Sequence, residues 1–381
     1  MEPSGVISSL RKPSMRARLA LGVVVALTAA AACQTPAATP SATAGASAPA
    51  SPSAATQAPT ASPDAGMGGL FHVVGTAPAI ARSAFPDRGA VLPAAVTVGA
   101  DGTYHAWVIA FASTPGMQDL HHLTSPDGVA WTEVADASLE GLSAGLGNPG
   151  AMPTSVFADG DGWVMYHTGT LASERQGWDI WRATAPGPNG PWTRADAPVL
   201  RRGPAGAWDS GALDFPSVFA TATGYTMVYS GQDSAHPDGG AIGLATSTDG
   251  IAWTKHDDPA TTDGLGVESD PVARPGLCGG FDDRAIHQPR IVAQPDRLVM
   301  AYAAYTGALD SRASIGYADS IDGGLTWGCE WPAPALDTTG LPSGFVHTVT
   351  AFQRGERVAL LVEWLADNGT DVWLADLGVA P

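Results

Sequence analysis

Two segments of the sequence carry the side chains best suited to acid, base or ligand chemistry. In chain order the candidates are Asp209, Asp214, Asp283, Arg284, His287 and Arg290. Two carboxyl groups can donate and accept protons in one reaction. Arginine and histidine beside them can bind hydroxyls, a carboxylate or a phosphate. We take Asp214, two residues before Pro216, as the first candidate acid or base. The alternative is that these groups cap loops or form ion pairs between neighbouring elements.

Further candidates follow at the C-terminal end. Glu363 ends an apolar run and offers a second carboxyl group. His347 begins a later apolar run at a position that corresponds to His287, so the two rings could share a water or a cation; the alternative is that each is a hydrogen-bonded structural histidine. Trp208 offers a ring face for stacking on a ligand or for ordinary packing.

One short motif occurs five times along the chain and indicates which elements position these side chains. The copies occupy residues 120–125, 179–185, 241–247, 314–320 and 371–377, about 57 to 73 residues apart, a period typical of solenoids and propellers. Each copy follows an aromatic or β-branched run, and a further apolar run, introduced by proline in four units, precedes that one. The sequence therefore predicts an all-β fold, a five-bladed β-propeller of four-stranded antiparallel blades. The stretch 70–74 is expected to supply the outer strand of the last blade.

The turns after the first, third and fourth copies share the pattern Ser-x-Asp-Gly followed within four residues by Trp. Their carboxylates belong to Asp127, Asp249 and Asp322. They could form a cation-binding or catalytic cluster, or they could cap the backbone of a hairpin in which Gly adopts positive φ. Repetition once per blade favours the structural interpretation.

These turns resemble the Asp-boxes of sialidases and the S-x-D-G-x-x-W hairpins of five-bladed glycoside hydrolases, and sialidase propellers have six blades. Over residues 90–381 the order of strands and turns resembles the superfamily of arabinanases, invertases and mannoside phosphorylases. The resemblance implies a carbohydrate ligand at the rim of the ring and cleavage of a glycosidic bond by hydrolysis or phosphorolysis. It also implies that no cofactor is required, although a structural or channel cation is compatible with it.

The sequence departs from the resemblance at the inner strands of the first two blades. Relatives carry acids there, whereas this chain has Val91-Leu92 and Ala151-Met152. Only the third blade retains its acid, Asp214. Two alternatives to an enzyme therefore stay open, a non-catalytic carbohydrate-binding propeller with a degenerate active site and a surface scaffold for protein partners.

The N-terminal region predicts export. Arg16 and Arg18 precede an apolar run and four alanines that end at Cys33, which resembles the lipobox of bacterial lipoproteins. We expect a lipoprotein signal peptide over 1–32, acylation of Cys33, a disordered Ala/Pro/Ser/Thr-rich linker over 33–66, and the propeller over 67–381. The protein would then be a cell-surface or periplasmic lipoprotein that touches the membrane through its N-terminal lipid only. The alternative is an ordinary signal peptide.

Composition excludes one class of partner and suggests one covalent bond. Asp and Glu outnumber Lys and Arg by 37 to 19, the formal net charge is −18, and the only lysines are Lys12 and Lys255. Without a basic stripe, nucleic acid is excluded as a partner, and we expect a monomer that binds carbohydrate.

Outside a reducing compartment the two remaining cysteines, Cys278 and Cys329, can form a disulfide; the alternative is a pair of buried thiols.

Overall fold

The computed structural model describes residues 69–378 apart from 113–117, 144–145, 147–149, 172–176, 263, 266–267, 308–311 and 368. The predicted signal segment, the linker and Cys33 lie outside the described residues. The described strands form five sheets built on antiparallel neighbours, which confirms the predicted five-bladed propeller. In the part of the chain that the structure describes, no helix has the length and apolar character needed to cross a membrane.

The strands are numbered along the chain and grouped by blade. Blade 1 contains β2 Arg88–Val98, β3 Tyr104–Ala112, β4 Gln118–Ser125 and β5 Thr132–Glu133. Blade 2 contains β6 Met152–Asp159, β7 Gly162–Gly169, β8 Asp179–Ala185 and β9 Thr193–Arg194. Blade 3 contains β10 Ala212–Thr221, β11 Gly224–Asp233, β12 His236–Ser247 and β13 Thr254–Lys255, with β14 Pro271–Ala273 paired to β12. Blade 4 contains β15 Ala285–Ala293, β16 Leu298–Tyr305, β17 Ser314–Ser320 and β18 Gly328–Cys329. Blade 5 contains β20 Gly344–Arg354, β21 Arg357–Ala366 and β22 Gly369–Leu377, joined by β1 Phe71–Val73 and β19 Leu336–Asp337. The two short 3₁₀ helices are Arg82–Ala84 and Glu140–Ser143.

The first strand closes the ring as predicted. β1 runs antiparallel to β22, with Phe71 opposite Leu377, and completes blade 5 from the N-terminal side. β19 adds a parallel partner on the outer side of β1, which the sequence had not indicated. Because the last blade contains strands from both ends of the chain, opening the ring would require breaking a sheet.

The turn pattern that repeats in blades 1, 3 and 4 has a structural role. Asp127 accepts hydrogen bonds from the backbone N–H groups of Val129 and Ala130 at 2.9 and 3.2 Å. Asp249 and Asp322 make corresponding bonds within their own turns. These backbone hydrogen bonds lower the pKa of Asp127. The carboxylates are therefore occupied by their own hairpins, which agrees with the capping interpretation.

Side-chain hydroxyls join neighbouring blades at the inner strands. Each inner strand is the edge of its sheet, so N–H groups on its outer side have no ladder partner within the blade. Oγ of Ser155 accepts from Val218 N at 3.0 Å, and Oγ of Ser217 accepts from Ile291 N at 3.0 Å. The predicted disulfide between Cys278 and Cys329 is also present and ties the loop before blade 4 to its outer strand.

Blade 2 encloses a histidine that the resemblance does not explain. His167 in β7 is completely buried and stacks on Trp181, with Nδ1 3.2 Å from the carbonyl oxygen of Thr168. Its Nε2 atom has no hydrogen-bond partner among the described residues. Burial lowers the pKa of His167 to about 4. The ring is therefore neutral in the folded protein over most of the physiological pH range.

We predict that His167 makes the fold acid-sensitive. Unfolded histidine takes up a proton near pH 6.5, whereas folded His167 does so only near pH 4. Its contribution to the free energy of unfolding is therefore complete above about pH 6.5 and is lost as the pH falls toward 4. The loss amounts to about 2 kcal/mol by pH 5. Urea unfolding at pH 7.5 and pH 5 should show a smaller pH-dependent loss for His167→Gln than for the unchanged protein. Equal losses in the two proteins would contradict this assignment.

Candidate functional site

Each inner strand contributes one residue at the same register near the rim of the ring. The backbone pairs are Leu92 with Ile109, Met152 with Thr168, Asp214 with Ser230, His287 with Ala303 and Thr348 with Glu363. Their second-strand partners lie opposite Leu120, Ile180, Ile242, Ile315 and Val372, which are equivalent positions of the repeated motif. We call the first set, Leu92, Met152, Asp214, His287 and Thr348, the mouth ring. It is apolar in blades 1 and 2 and polar in blades 3 to 5.

The strand register also changes the predicted correspondence between His287 and His347. Thr348, and not His347, occupies the position that corresponds to His287, because His347 lies within an irregularity between Val346 and Thr348. The sequence pattern could not resolve this one-residue offset, since an inserted bulge residue leaves the apolar run intact.

Two strained bulges follow the polar residues of blades 3 and 4. Phe215 and Gln288 have φ of 50° and 55°, which is uncommon for residues other than glycine. Each strained N–H is held, Phe215 N by Thr168 Oγ1 at 3.2 Å and Gln288 N by Ser230 Oγ at 2.8 Å. Such strain persists where the surroundings fix it, and it concentrates at functional sites. The bulges therefore set the positions of Asp214 and His287.

The structure brings the two predicted residues Asp214 and His287 together across the interface of blades 3 and 4. Nε2 of His287 lies 3.0 Å from Oδ1 of Asp214 and 3.1 Å from the side-chain nitrogen of Gln232. Both residues are buried, with 3% and 5% of their surface exposed. The ion-pair contact is not aligned as a hydrogen bond, and Oδ1 of Asp214 has no other partner among the described residues. This buried oxygen therefore has unused hydrogen-bonding capacity.

Arg290 lies one step further along the same inner strand and extends across the channel. Its Nε donates to the carbonyl oxygen of Val349 at 2.8 Å, and Nη1 contacts that of Thr154 at 3.5 Å. The guanidinium carbon lies 5.2 Å from the centre of the Phe215 ring. Burial lowers the pKa of Arg290 to about 9, and the charge of Asp214 opposes that shift. Arg290 is therefore still a cation at neutral pH.

Blade 5 holds a second carboxylate and histidine pair. Oε2 of Glu363 lies 2.8 Å from Nδ1 of His347, and Glu363 is only 3% exposed. The carboxylate of Glu363 raises the pKa of His347, although burial acts in the opposite direction. The structure thus pairs two of the predicted residues, and the pair retains a proton to higher pH than an isolated histidine would.

Tyr305, at the end of β16, is a buried residue whose ionisation both carboxylates affect. Burial raises the pKa of its phenol, and the nearby charges of Asp214 and Glu363 raise it further. Tyr305 packs in one apolar cluster with Val346 and Trp364 of blade 5. The phenol therefore stays protonated at neutral pH, since burial and both carboxylates disfavour its ionised form.

Asp209 and Trp208 have other surroundings. The buried carboxylate of Asp209 forms an ion pair with Lys255 and accepts a hydrogen bond from Gly203 N at 3.1 Å. Trp208 stacks on Tyr229, with ring centres 6.0 Å apart. No described contact joins either residue to the pair of Asp214 and His287, and both positions fit the alternative of loop capping and packing.

The remaining predicted residues, Asp283 and Arg284, are exposed in the loop before β15. Their neighbour Asp282 is fully buried and accepts hydrogen bonds from the hydroxyl of Tyr302 at 2.7 Å and from Cys278 N at 2.8 Å. Asp282 therefore anchors this loop, while Arg284 N donates to the carbonyl oxygen of Tyr305 at 3.0 Å.

Sequence reasoning missed three polar residues of the site, Gln232, Tyr305 and Thr348. Gln232 and Tyr305 occur at the rim ends of second strands, as Glu363 does, and that shared position was the available signal. The predicted cation between His287 and His347 has no described ligand set, because each histidine contacts its own carboxylate. Among the residues that the structure describes, no three His, Cys, Asp or Glu side chains are grouped to hold a metal ion.

Solved structures of carbohydrate-active enzymes share this architecture. A glycoside hydrolase described as putative, from Parabacteroides distasonis, is 16% identical, with a TM-score of 0.58 over 82% of this chain and 97% of its own. A structure describing hydrolases within the GH130 family of mannoside phosphorylases, which target β-1,2 mannosidic linkages in Candida mannan, is 15% identical. Its TM-score is 0.56 over 83% of this chain and 95% of its own. A thermostable family-43 glycoside hydrolase is 17% identical, with a TM-score of 0.53 over 76% of this chain and 90% of its own.

These likenesses establish the fold and leave the reaction to the residues of the site. No protein-family model and no curated protein matches the sequence.

We predict that the charge of Arg290 is balanced mainly by Asp214. Arg290→Met should lower the free energy of unfolding by about 3 kcal/mol, because it removes the charge that interacts with Asp214 and the donor to the buried carbonyl oxygen of Val349. Adding Asp214→Asn to that variant should recover part of the loss, and urea unfolding of both proteins measures the difference. If the double variant is no more stable than the single one, the backbone carbonyls rather than Asp214 determine the role of Arg290.

Proposed function

We propose that this protein is an exported, carbohydrate-active propeller that cleaves a glycosidic bond at its channel mouth. The observation that carries the proposal is a pair of buried carboxyl groups at the mouth ring, Asp214 in the ring itself and Glu363 opposite its member Thr348. Each carboxyl group also has its own histidine partner, His287 or His347. Cleavage of a glycosidic bond usually requires two carboxyl groups with different protonation.

The surroundings of the two carboxyl groups suggest different roles. Asp214 contacts His287 at 3.0 Å and interacts electrostatically with the cation Arg290, so we assign to this carboxylate the activation of water or the attack on the sugar carbon. His347 contacts Glu363 at 2.8 Å, and this carboxylate raises the pKa of the histidine, so the pair is suited to protonate the departing oxygen.

A binding protein without turnover is the second candidate, and one observation favours it. The mouth ring has Leu92 and Met152 in blades 1 and 2, at the register of Asp214 and His287. The resemblance to glycoside hydrolases implies acids at these apolar positions. A sugar would then be held by blades 3 to 5 with no carboxyl group on the opposite side.

Loss of either carboxyl group should abolish cleavage. We expect the full-length protein to release sugar from at least one member of a broad glycan panel, with and without phosphate. Asp214→Asn and Glu363→Gln should each lower the rate at least about 100-fold, the usual contribution of a positioned acid or base. Released reducing sugar or sugar phosphate is the readout.

Asp249→Asn, in a hairpin turn of blade 3, is the matched control and should keep the full rate. Dependence on phosphate would identify phosphorolysis. If the unchanged protein binds a glycan saturably and releases no sugar, the result would reject the enzyme hypothesis in favour of the binding protein. Release that survives both carboxyl substitutions would reject the assigned residues.

We also propose that the protein is tethered through lipid at Cys33. Support comes from the segment that precedes the first strand, which offers a cysteine after four alanines and then a linker poor in large apolar residues. The chain reaches blade 5 at Phe71, which pairs with Leu377 at the end of β22 remote from the rim. A tether attached there would leave the channel mouth directed away from the membrane.

Substitution of Cys33 should release the protein from the membrane. In cells that process lipoproteins, the unchanged chain should incorporate labelled fatty acid and sediment with membranes, whereas Cys33→Ala should do neither. Cys278 and Cys329 are not expected to take up the fatty acid, because they form the disulfide. Soluble, unlabelled but processed protein from the unchanged chain would indicate an ordinary signal peptide instead.

A further inference from the structure

The apolar side of the mouth is one packed cluster with a half-buried border, rather than two isolated substitutions. Leu92, Met152 and Phe215 pack in one cluster with Ala94 and Ile109. Three half-buried side chains border this cluster at the rim, namely Phe111, Leu120 and Trp178. We call the set Leu92, Met152, Phe215, Phe111, Leu120 and Trp178 the apolar wall. It spans blades 1 to 3.

The apolar wall reaches the polar side of the mouth through Phe215. This residue directly follows Asp214, and its ring lies 5.4 Å from the ring of His287 in an edge-to-face contact. Arg290 covers the Phe215 ring as well. Phe215 therefore places the edge of the apolar wall directly beside Asp214 and His287.

The wall offers little to a hydroxyl group. Thr168, which pairs with Met152, already accepts the hydrogen bond of Phe215 N. A hydroxyl pressed against Leu92 or Met152 would lose its water without a replacement partner, which weakens binding. A methyl or other apolar group in the same place would instead bury apolar surface.

We infer that the ligand is a glycoside with an apolar group directed at blades 1 and 2, and this inference rests on the proposed carbohydrate function. The sugar hydroxyls would face Asp214, His287 and Thr348, and the apolar group would lie on the wall. That group is either the methyl group of a 6-deoxy sugar or an apolar aglycone. Both have the same chemistry at the wall, so paired ligands are needed to separate them.

Calorimetric titration of the full-length protein with matched pairs tests the inference. The first arm compares the methyl glycosides of L-rhamnose with L-mannose and of L-fucose with L-galactose, which differ only in carrying CH₃ or CH₂OH. The second compares methyl with phenyl β-D-glucoside and β-D-galactoside. We expect at least one pair to show about tenfold tighter binding of the partner with the apolar group, the usual effect of a small change in an apolar pocket.

Variants locate the preference on the wall. Met152→Gln should remove most of the preference, whereas the conservative control Met152→Leu should keep it. Leu120→Gln, at the half-buried border of the wall, provides a second test if Met152→Gln does not fold.

The outcomes separate this inference from the proposed function. Equal binding of both members of every pair, with sugar bound, would overturn the inference and leave the carbohydrate function standing. A preference that survives Met152→Gln and Leu120→Gln would also overturn it. Binding of no sugar in either arm would count against the proposed function, and the inference would fall with it.

Discussion

The guanidinium group of Arg290 is the interaction on which the arrangement of the channel depends. From blade 4 it donates to Val349 of blade 5 and contacts the carbonyl oxygen of Thr154 in blade 2. It also lies against Phe215 and attracts Asp214, both of blade 3. A buried cation is costly unless its partners are held in place. Four blades must therefore keep their relative positions for this charge to be tolerated, and the same positions define the mouth above it.

A ring fixed in this way can hold conformations that a flexible loop would not keep. The positive φ values of Phe215 and Gln288 persist because hydroxyls of neighbouring strands accept their N–H groups. The same bulges present Asp214 and His287 toward each other across a blade interface. Solved structures with different activities share this scaffold, so the fold alone does not decide the function. In this protein those positions divide the mouth into an apolar and a polar side.

Much of the architecture could be predicted because its determinants are local. The hairpin role of Asp127 follows from a four-residue pattern, and the structure confirms it with bonds inside that turn. The repeats predicted the blade order, and the two cysteines that remain besides Cys33 predicted the disulfide. The polar cluster was predicted in part, since Asp214 and His287 do meet. Asp209 was grouped with them by sequence proximity alone, yet its carboxylate forms an ion pair with Lys255, which comes from the outer strand of its own blade.

Most of the strands, the turns and the number of blades could be predicted from the sequence, because each depends on side-chain alternation and turn chemistry within a few residues. Which rim residues lie together became visible only in the folded ring. Tyr305 could not be assigned from sequence, since it gains its role from Asp214 and Glu363, each more than fifty residues away along the chain. Closure of the ring brings such residues together, and a one-residue bulge decides which of them face the channel. Both are properties of how blades pack, and no local pattern encodes them.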